Sequence, residues 1–127
     1  MERQEVQLEI EESNGYKNIY PKPKPNKGIT GLPENGYITV TKLFDTAMEF
    51  DSKFKHKDGT PKKYGSARVD YQGEEVSFLL SEPETEAFNT VAAANDKIRV
   101  FWYKESFENK QTGTETVFKR LGFEKVE

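Results

Sequence analysis

The residues with the most chemistry to offer lie in the run FDSKFKHKDGTPKKYGSAR (50–68). Lys53, Lys55, Lys57, Lys62, Lys63 and Arg68 supply positive charge, and Phe50, Phe54 and Tyr64 supply rings. Cations hold phosphates regardless of sequence, and aromatic faces accept the face of any base. On an extended chain Lys53, Lys55 and Lys57 share one side while Phe54 points the other way. A hairpin arm turning at Asp58-Gly59 would present a cationic edge beside a ring. The plainer alternative is a solvated loop whose lysines aid solubility. Three rings in the same loop weigh against it, because exposed aromatics without a role are a liability.

The second feature is KIRVFWYKESF (97–107). Alternation puts Ile98, Val100 and Trp102 on one strand face and Arg99, Phe101 and Tyr103 on the other. The first set suits a core. The second mixes a guanidinium with two rings, as base-stacking surfaces do. Alternatively, the strand is covered on both sides, by the N-terminal arm or a second subunit. The loop SFENKQTGTET (106–116) adds Phe107 and Lys110. In TVFKRLGFEKV (116–126), Val117 and Leu121 are expected inward with Lys119 between them near a rim, and Phe118 and Arg120 on the opposite face. Arg68 would share that outward side, and a register slip of one residue would reverse every such assignment.

Catalytic chemistry is not legible. His56 stands among lysines with no acid–base partner recognisable from sequence, and Glu74 and Glu75, as neighbours on a strand, face opposite ways. There is no phosphate loop, G-x-G-x-x-G or H-E-x-x-H. With no cysteine and one histidine, thiolate and multi-histidine metal sites are excluded. The expectation is a binding protein that is not an enzyme and has no metal or cofactor.

The 127 residues suit one domain, long enough to bury a core without staples. A chain without cysteine fits a reducing compartment or a hot habitat. No apolar run approaches the roughly 20 residues of a membrane span, and MERQEVQLEIEES lacks the basic start and apolar centre of a signal peptide. A cytoplasmic protein with no membrane partner is expected. The net charge of −3 conceals segregated blocks. Residues 1–12 hold five Glu and one Arg, and 14–27 four Lys and no acid. Residues 52–68 hold six Lys or Arg and one Asp, and 70–86 six acids and no base. Such blocks make local fields that the total hides.

The elements that must position these groups fall into two parts. Residues 1–35 form an acidic segment and a Pro/Lys-rich arm, with YPKPKPNKG (20–28) favouring an extended path. Val6, Leu8 and Ile10 allow one short strand there, and a disordered acidic tail is the alternative. The arm could bind protein partners, or residues 2–12 could lie in the basic groove and compete with nucleic acid. Residues 36–127 form the second part. GYITVTKLF (36–44), SARVDY (66–71), EVSFLL (75–80), 97–107 and 116–126 read as strands, with a hairpin turn at Gln72-Gly73. Ser81-Glu82-Pro83-Glu84 is a capping box that opens a helix, with Phe88, Val91 and Ala92 as its apolar stripe and Asn95-Asp96 as its end. The fold class expected is all-β with one helix, a five-stranded OB-type barrel ordered strand, strand, strand, helix, strand, strand, carrying an N-terminal extension.

YITVTKLF (37–44), GSARVDYQGEEVSFLLSEPETEAF (65–88) and DKIRVFWYKE (96–105) together resemble small single-OB-fold proteins that bind single-stranded DNA, of the archaeal and viral type, and replication protein A modules. The resemblance covers 36–126 and rests on element order. It implies sequence-tolerant binding of single strands, DNA favoured over RNA, in replication, recombination or repair. It assigns stacking to Phe101, Tyr103 and Phe54, and phosphate contacts to Arg99, Lys53, Lys55 and Lys57. The chain departs from many bacterial members in ending on GFEKVE rather than on an acidic partner-recruiting tail. The alternatives are a protein-interaction module, such as a small subunit of a larger complex, or a single-stranded RNA binder.

Overall fold

Period-two burial organises the sheet in the computed structural model, which describes residues 2–127. Strands β1 (Gln4–Glu5), β2 (Glu11–Ser13) and β3 (Tyr16–Asn18) precede β4 (Gly36–Lys42). In β4, Ile38, Val40 and Lys42 point inward. β5 (Met48–Lys55) and β6 (Pro61–Tyr71) make a hairpin, and β6 runs on to pair with β7 (Glu74–Leu80). Ala67, Val69 and Tyr71 of β6 face the core with Val76, Phe78 and Leu80 of β7. Gln72 and Gly73 both take positive φ, the primed turn that suits a two-residue hairpin. Helix α1 (Glu82–Val91) follows, then β8 (Lys97–Asn109) and β9 (Thr114–Lys125). Ile98, Val100 and Trp102 of β8 are buried as the alternation requires, and the Trp102 indole N–H donates to the Leu32 carbonyl at 2.7 Å.

The closed five-stranded OB-type barrel does not form. Among the described residues, nine strands make one mixed sheet in the order β2-β3-β7-β6-β4-β8-β9, with β1 added on β4 and β5 on β6. Closure would need the last strand to find a second partner, and β9 pairs with β8 alone. The free edge of β7 is instead taken by β3, at Asn18 opposite Ser77, and the Ile19 N–H continues the contact to the Ser77 carbonyl at 3.0 Å. Ile19 and Leu32, from the segment read as a linker, are core residues. Their burial fills the gap that a barrel seam would otherwise close.

Two buried charges fix α1 in that gap. At its start the Glu84 carboxylate, 1% exposed, accepts from the Ser81 N–H at 2.8 Å, the Leu121 N–H at 2.7 Å and the Lys22 ammonium at 2.9 Å. The first is the capping box read from sequence; the second satisfies a donor on the unpaired edge of β9. At the other end Lys42, fully buried, donates to the carbonyls of Phe88 and Ala92 at 2.6 Å each and of Asp45 at 2.9 Å. Burial holds its ammonium below the usual lysine pKa, opposed by the charges of Asp45 and Asp96. A cation there complements the negative end of the helix dipole. It also stops the helix at Val91, short of the expected Asn95-Asp96, by taking carbonyls that another turn would use.

Replacing Lys42 by Met keeps the apolar stem and strands those carbonyls. The expected loss is about 2–4 kcal/mol, since each buried acceptor left unsatisfied costs about 1–3 kcal/mol. Urea denaturation checks this; an unchanged midpoint would contradict it.

Candidate nucleic-acid interface

Two hairpins extend beyond the core. The first arm is β5–β6, closed by a turn in which the Asp58 carboxylate accepts from the Thr60 N–H at 3.0 Å and hydroxyl at 2.6 Å. Those bonds, hydroxyl first, hold the Asp58 carboxyl below its usual range. Phe50 and Tyr64 face each other across the ladder and stack at 5.3 Å between centroids. The register shifts between Asp51 and Lys55, and Lys57 falls in the turn. The single-sided row expected of Lys53, Lys55 and Lys57 is therefore broken by the bulge. Phe54 is 64% exposed at the tip, with the Lys53 ammonium 5.7 Å from its ring. Lys63 is ion-paired with Asp51, whose hydrogen bond and charge raise its pKa.

The second arm is β8–β9. Its outward face carries Tyr103 opposite Arg120, and Glu105 opposite Phe118. Arg120 pairs with Glu105 at 2.7 Å and lies 5.1 Å from the Phe118 ring. Phe107, 63% exposed, lies near the tip, and Lys110 sits in the turn. Val117, expected inward, is exposed because this part of β9 runs past the core; Leu121 is buried as expected. Lys119 lies 5.7 Å from the Trp102 ring.

Nearer the core the outward face of β8 is already engaged. The Arg3 guanidinium sits 3.9 Å from the Phe101 centroid. On the sheet side, the Phe101 ring lies over its cross-strand partner Gly122, where any Cβ would come within 2.4 Å of it. Arg99 lies 4.9 Å from the Tyr37 ring and 3.8 Å from Glu124. Covering by the N-terminal arm, one of the alternatives open in the sequence, thus applies to Phe101. From Gln4 to Leu8 the acidic stretch runs along β4 and the end of β6, through bonds from the Val6 N–H to the Tyr37 carbonyl and from the Leu8 N–H to the Tyr71 hydroxyl, and Glu11–Ser13 pairs with β3. Arg68 lies on the outward sheet face, 3.3 Å from Glu75.

The arms converge over the start of α1. A cleft of about 620 Å³ there is walled by Lys62, Lys63 and Tyr64 of the first arm and by Phe118, Lys119 and Arg120 of the second, with Lys22 and residues 81–84 as its floor. His56, for which sequence offered no partner, meets the Glu82 carboxylate at 3.1 Å and tethers the first arm to the helix. Lys62, Lys63, Tyr64 and Arg120 are thus brought together. Lys53, Phe54, Lys55 and Lys57 stay at one tip, and Tyr103, Phe107 and Lys110 along the other arm. Phe118, Lys119 and Lys22 belong to the cleft but were not singled out as binding residues. The ring-and-cation pattern of VFKR at 117–120 was the available signal.

Charge on this surface is divided. Lys63, Arg68, Arg99 and Arg120 are matched by carboxylates, whereas Lys53, Lys55, Lys57, Lys62 and Lys110 form no ion pair among the described residues. No group of three or more His, Cys, Asp or Glu among the described residues is arranged to hold a metal ion, and no helix is long and apolar enough to cross a membrane. Comparison of the chain with protein-family models, curated proteins and solved structures finds no match.

Proposed function

We propose that the cleft between the arms holds single-stranded nucleic acid, DNA favoured, with little regard to sequence. The observation that carries this reading is the pairing of a ring and cations on both walls: Tyr64 with Lys62 on one, Phe118 with Lys119 and Arg120 on the other. Unstacked bases offer faces to the rings and phosphates to the ammonium and guanidinium groups. A duplex hides its base faces, so it gains only the charge term. The tips, with Lys53, Phe54 and Lys55 on one arm and Phe107 and Lys110 on the other, lengthen the same surface. Their unpaired lysines need shed no carboxylate to meet a phosphate. Protection of exposed strands in replication, recombination or repair is the role such binding would serve. No cofactor or catalytic step enters the proposal.

One observation favours a second reading, a protein-interaction module. Met48 and Leu79, 56% and 63% exposed, flank Ser66 on the outward sheet face and make a small apolar patch there. A single stoichiometric partner, retained after nuclease treatment and lost in Leu79→Ser, would favour it.

The test of the first reading is titration of labelled oligothymidylate of about 15 nucleotides, near the upper span of a single binding module. Engagement of Lys62, Lys119 and Arg120 contributes about 2 to the fall of log K against log salt, at roughly 0.7 per phosphate. The Tyr64→Ala, Phe118→Ala double variant should weaken binding by about 1–3 kcal/mol for each base it stacks. No binding at low salt, or equal affinity for duplex, would defeat the proposal, and wild-type affinity in the double variant would remove the cleft from it.

A further inference from the structure

Residues 20–32 form a closed loop just beyond β3, beside β7. The Leu32 N–H donates to the Pro21 carbonyl at 2.8 Å, and Lys24 and Ile29 exchange backbone bonds at 2.9 and 3.1 Å. Within that turn the Lys27 N–H reaches the Lys24 carbonyl at 2.9 Å. Pro21, Pro23 and Pro25 fix three φ angles in the same stretch. The lysines here are therefore carried on a constrained backbone rather than on a linker.

Lys22, Lys24 and Lys27 line one pocket of about 420 Å³. The core residues Ile19, Phe78 and Leu121 lie behind it, and Tyr20 and Leu79 give it exposed apolar surface. Lys22 is matched by Glu84, whereas Lys24 and Lys27 form no ion pair among the described residues. Partial desolvation and then the charges of Lys22 and Lys27 hold the exposed Lys24 ammonium below its usual pKa. Glu11 of β2 contributes a carboxylate to the lining. Cations held close enough to repel one another, beside exposed apolar surface and a ring, complement a ligand that alternates anionic and flat apolar parts.

Lys22 also lines the cleft between the arms, so the two sites meet at its side chain. We propose that this pocket is a second subsite for the same single strand. Lys24 and Lys27 take phosphates, and Tyr20 and Leu79 take a base face, of nucleotides running past Lys22 from the cleft. The inference rests on the function proposed above and extends it, because it makes the Pro/Lys-rich segment part of the binding surface.

The test compares full-length wild type, Lys24→Gln/Lys27→Gln and Glu11→Gln against oligothymidylates of about 5 and about 15 nucleotides over a salt series. All three side chains are exposed, so the variants are expected to unfold at the wild-type temperature. For the longer strand the double variant should lose affinity on the order of tenfold, and its salt slope should fall by about 1.4, two contacts at roughly 0.7 each. The shorter strand, which the arm cleft accommodates alone, should be held nearly unchanged. Glu11→Gln should tighten the longer one. If wild type binds both strands and the double variant keeps the wild-type slope for the longer, the second subsite is overturned and the cleft stands. If wild type binds neither, the proposed function falls and this extension with it.

Discussion

One buried carboxylate ties the helix, the edge of β9 and the N-terminal segment together. Glu84 accepts from the helix start, from the edge of β9 and from Lys22 at the same time. Burying a carboxylate is costly unless its oxygens are matched by donors, and charge-assisted bonds are the stronger kind. With three donors the group is satisfied, and it replaces part of the ladder that closure would have supplied. Lys42 does the converse at the far end of the helix, where an ammonium answers carbonyls. The helix is thus held by opposite charges at its two ends, each matched to the sign of the dipole there.

This arrangement explains why the binding surface lies where it does. Because β9 is tied at Leu121 rather than along its length, the rest of the β8–β9 hairpin is free to stand away from the core as an arm. His56 holds the first arm against the same helix start through Glu82. The floor of the cleft is the capping region itself, so the constraint that ties the helix to β9 also sets the separation of the walls. A net charge of −3 is compatible with a polyanion partner because the acids and bases are sorted. Carboxylates neutralise Arg68 and Arg99 at the sheet, while several arm lysines remain unmatched.

Local chemistry was legible in the sequence and long-range pairing was not. The capping box, the Gln72-Gly73 hairpin and the inward set Ile98, Val100 and Trp102 depend on spacings of two to four residues, and each stands where the pattern puts it. Closure depends on which strand occupies the edge of β7. That is decided by one bridge at Asn18 and by the burial of Ile19, neither of which has a periodic signature. The same limit hid the Arg3 guanidinium on Phe101, a contact between residues far apart in the chain. It also hid the tether from His56 to Glu82. Prolines made 20–28 look like an extended linker, yet the turn they restrict is closed by bonds between Lys24 and Ile29. Cation-and-ring composition drew attention to both segments, read there as loops, but only the fold shows them as hairpin arms with Tyr64 and Phe118 walling the same cleft.

The central claim is that a strand lies in that cleft with bases against Tyr64 and Phe118. Photocrosslinking of a 5-iodouracil oligonucleotide to the protein, with mass-spectrometric mapping of the attached residues, tests it most directly. Adducts at Tyr64 and Phe118, suppressed by unlabelled single strand and not by duplex, are the predicted result. Adducts at neither Tyr64 nor Phe118, or no adduct at saturating oligonucleotide, would contradict it.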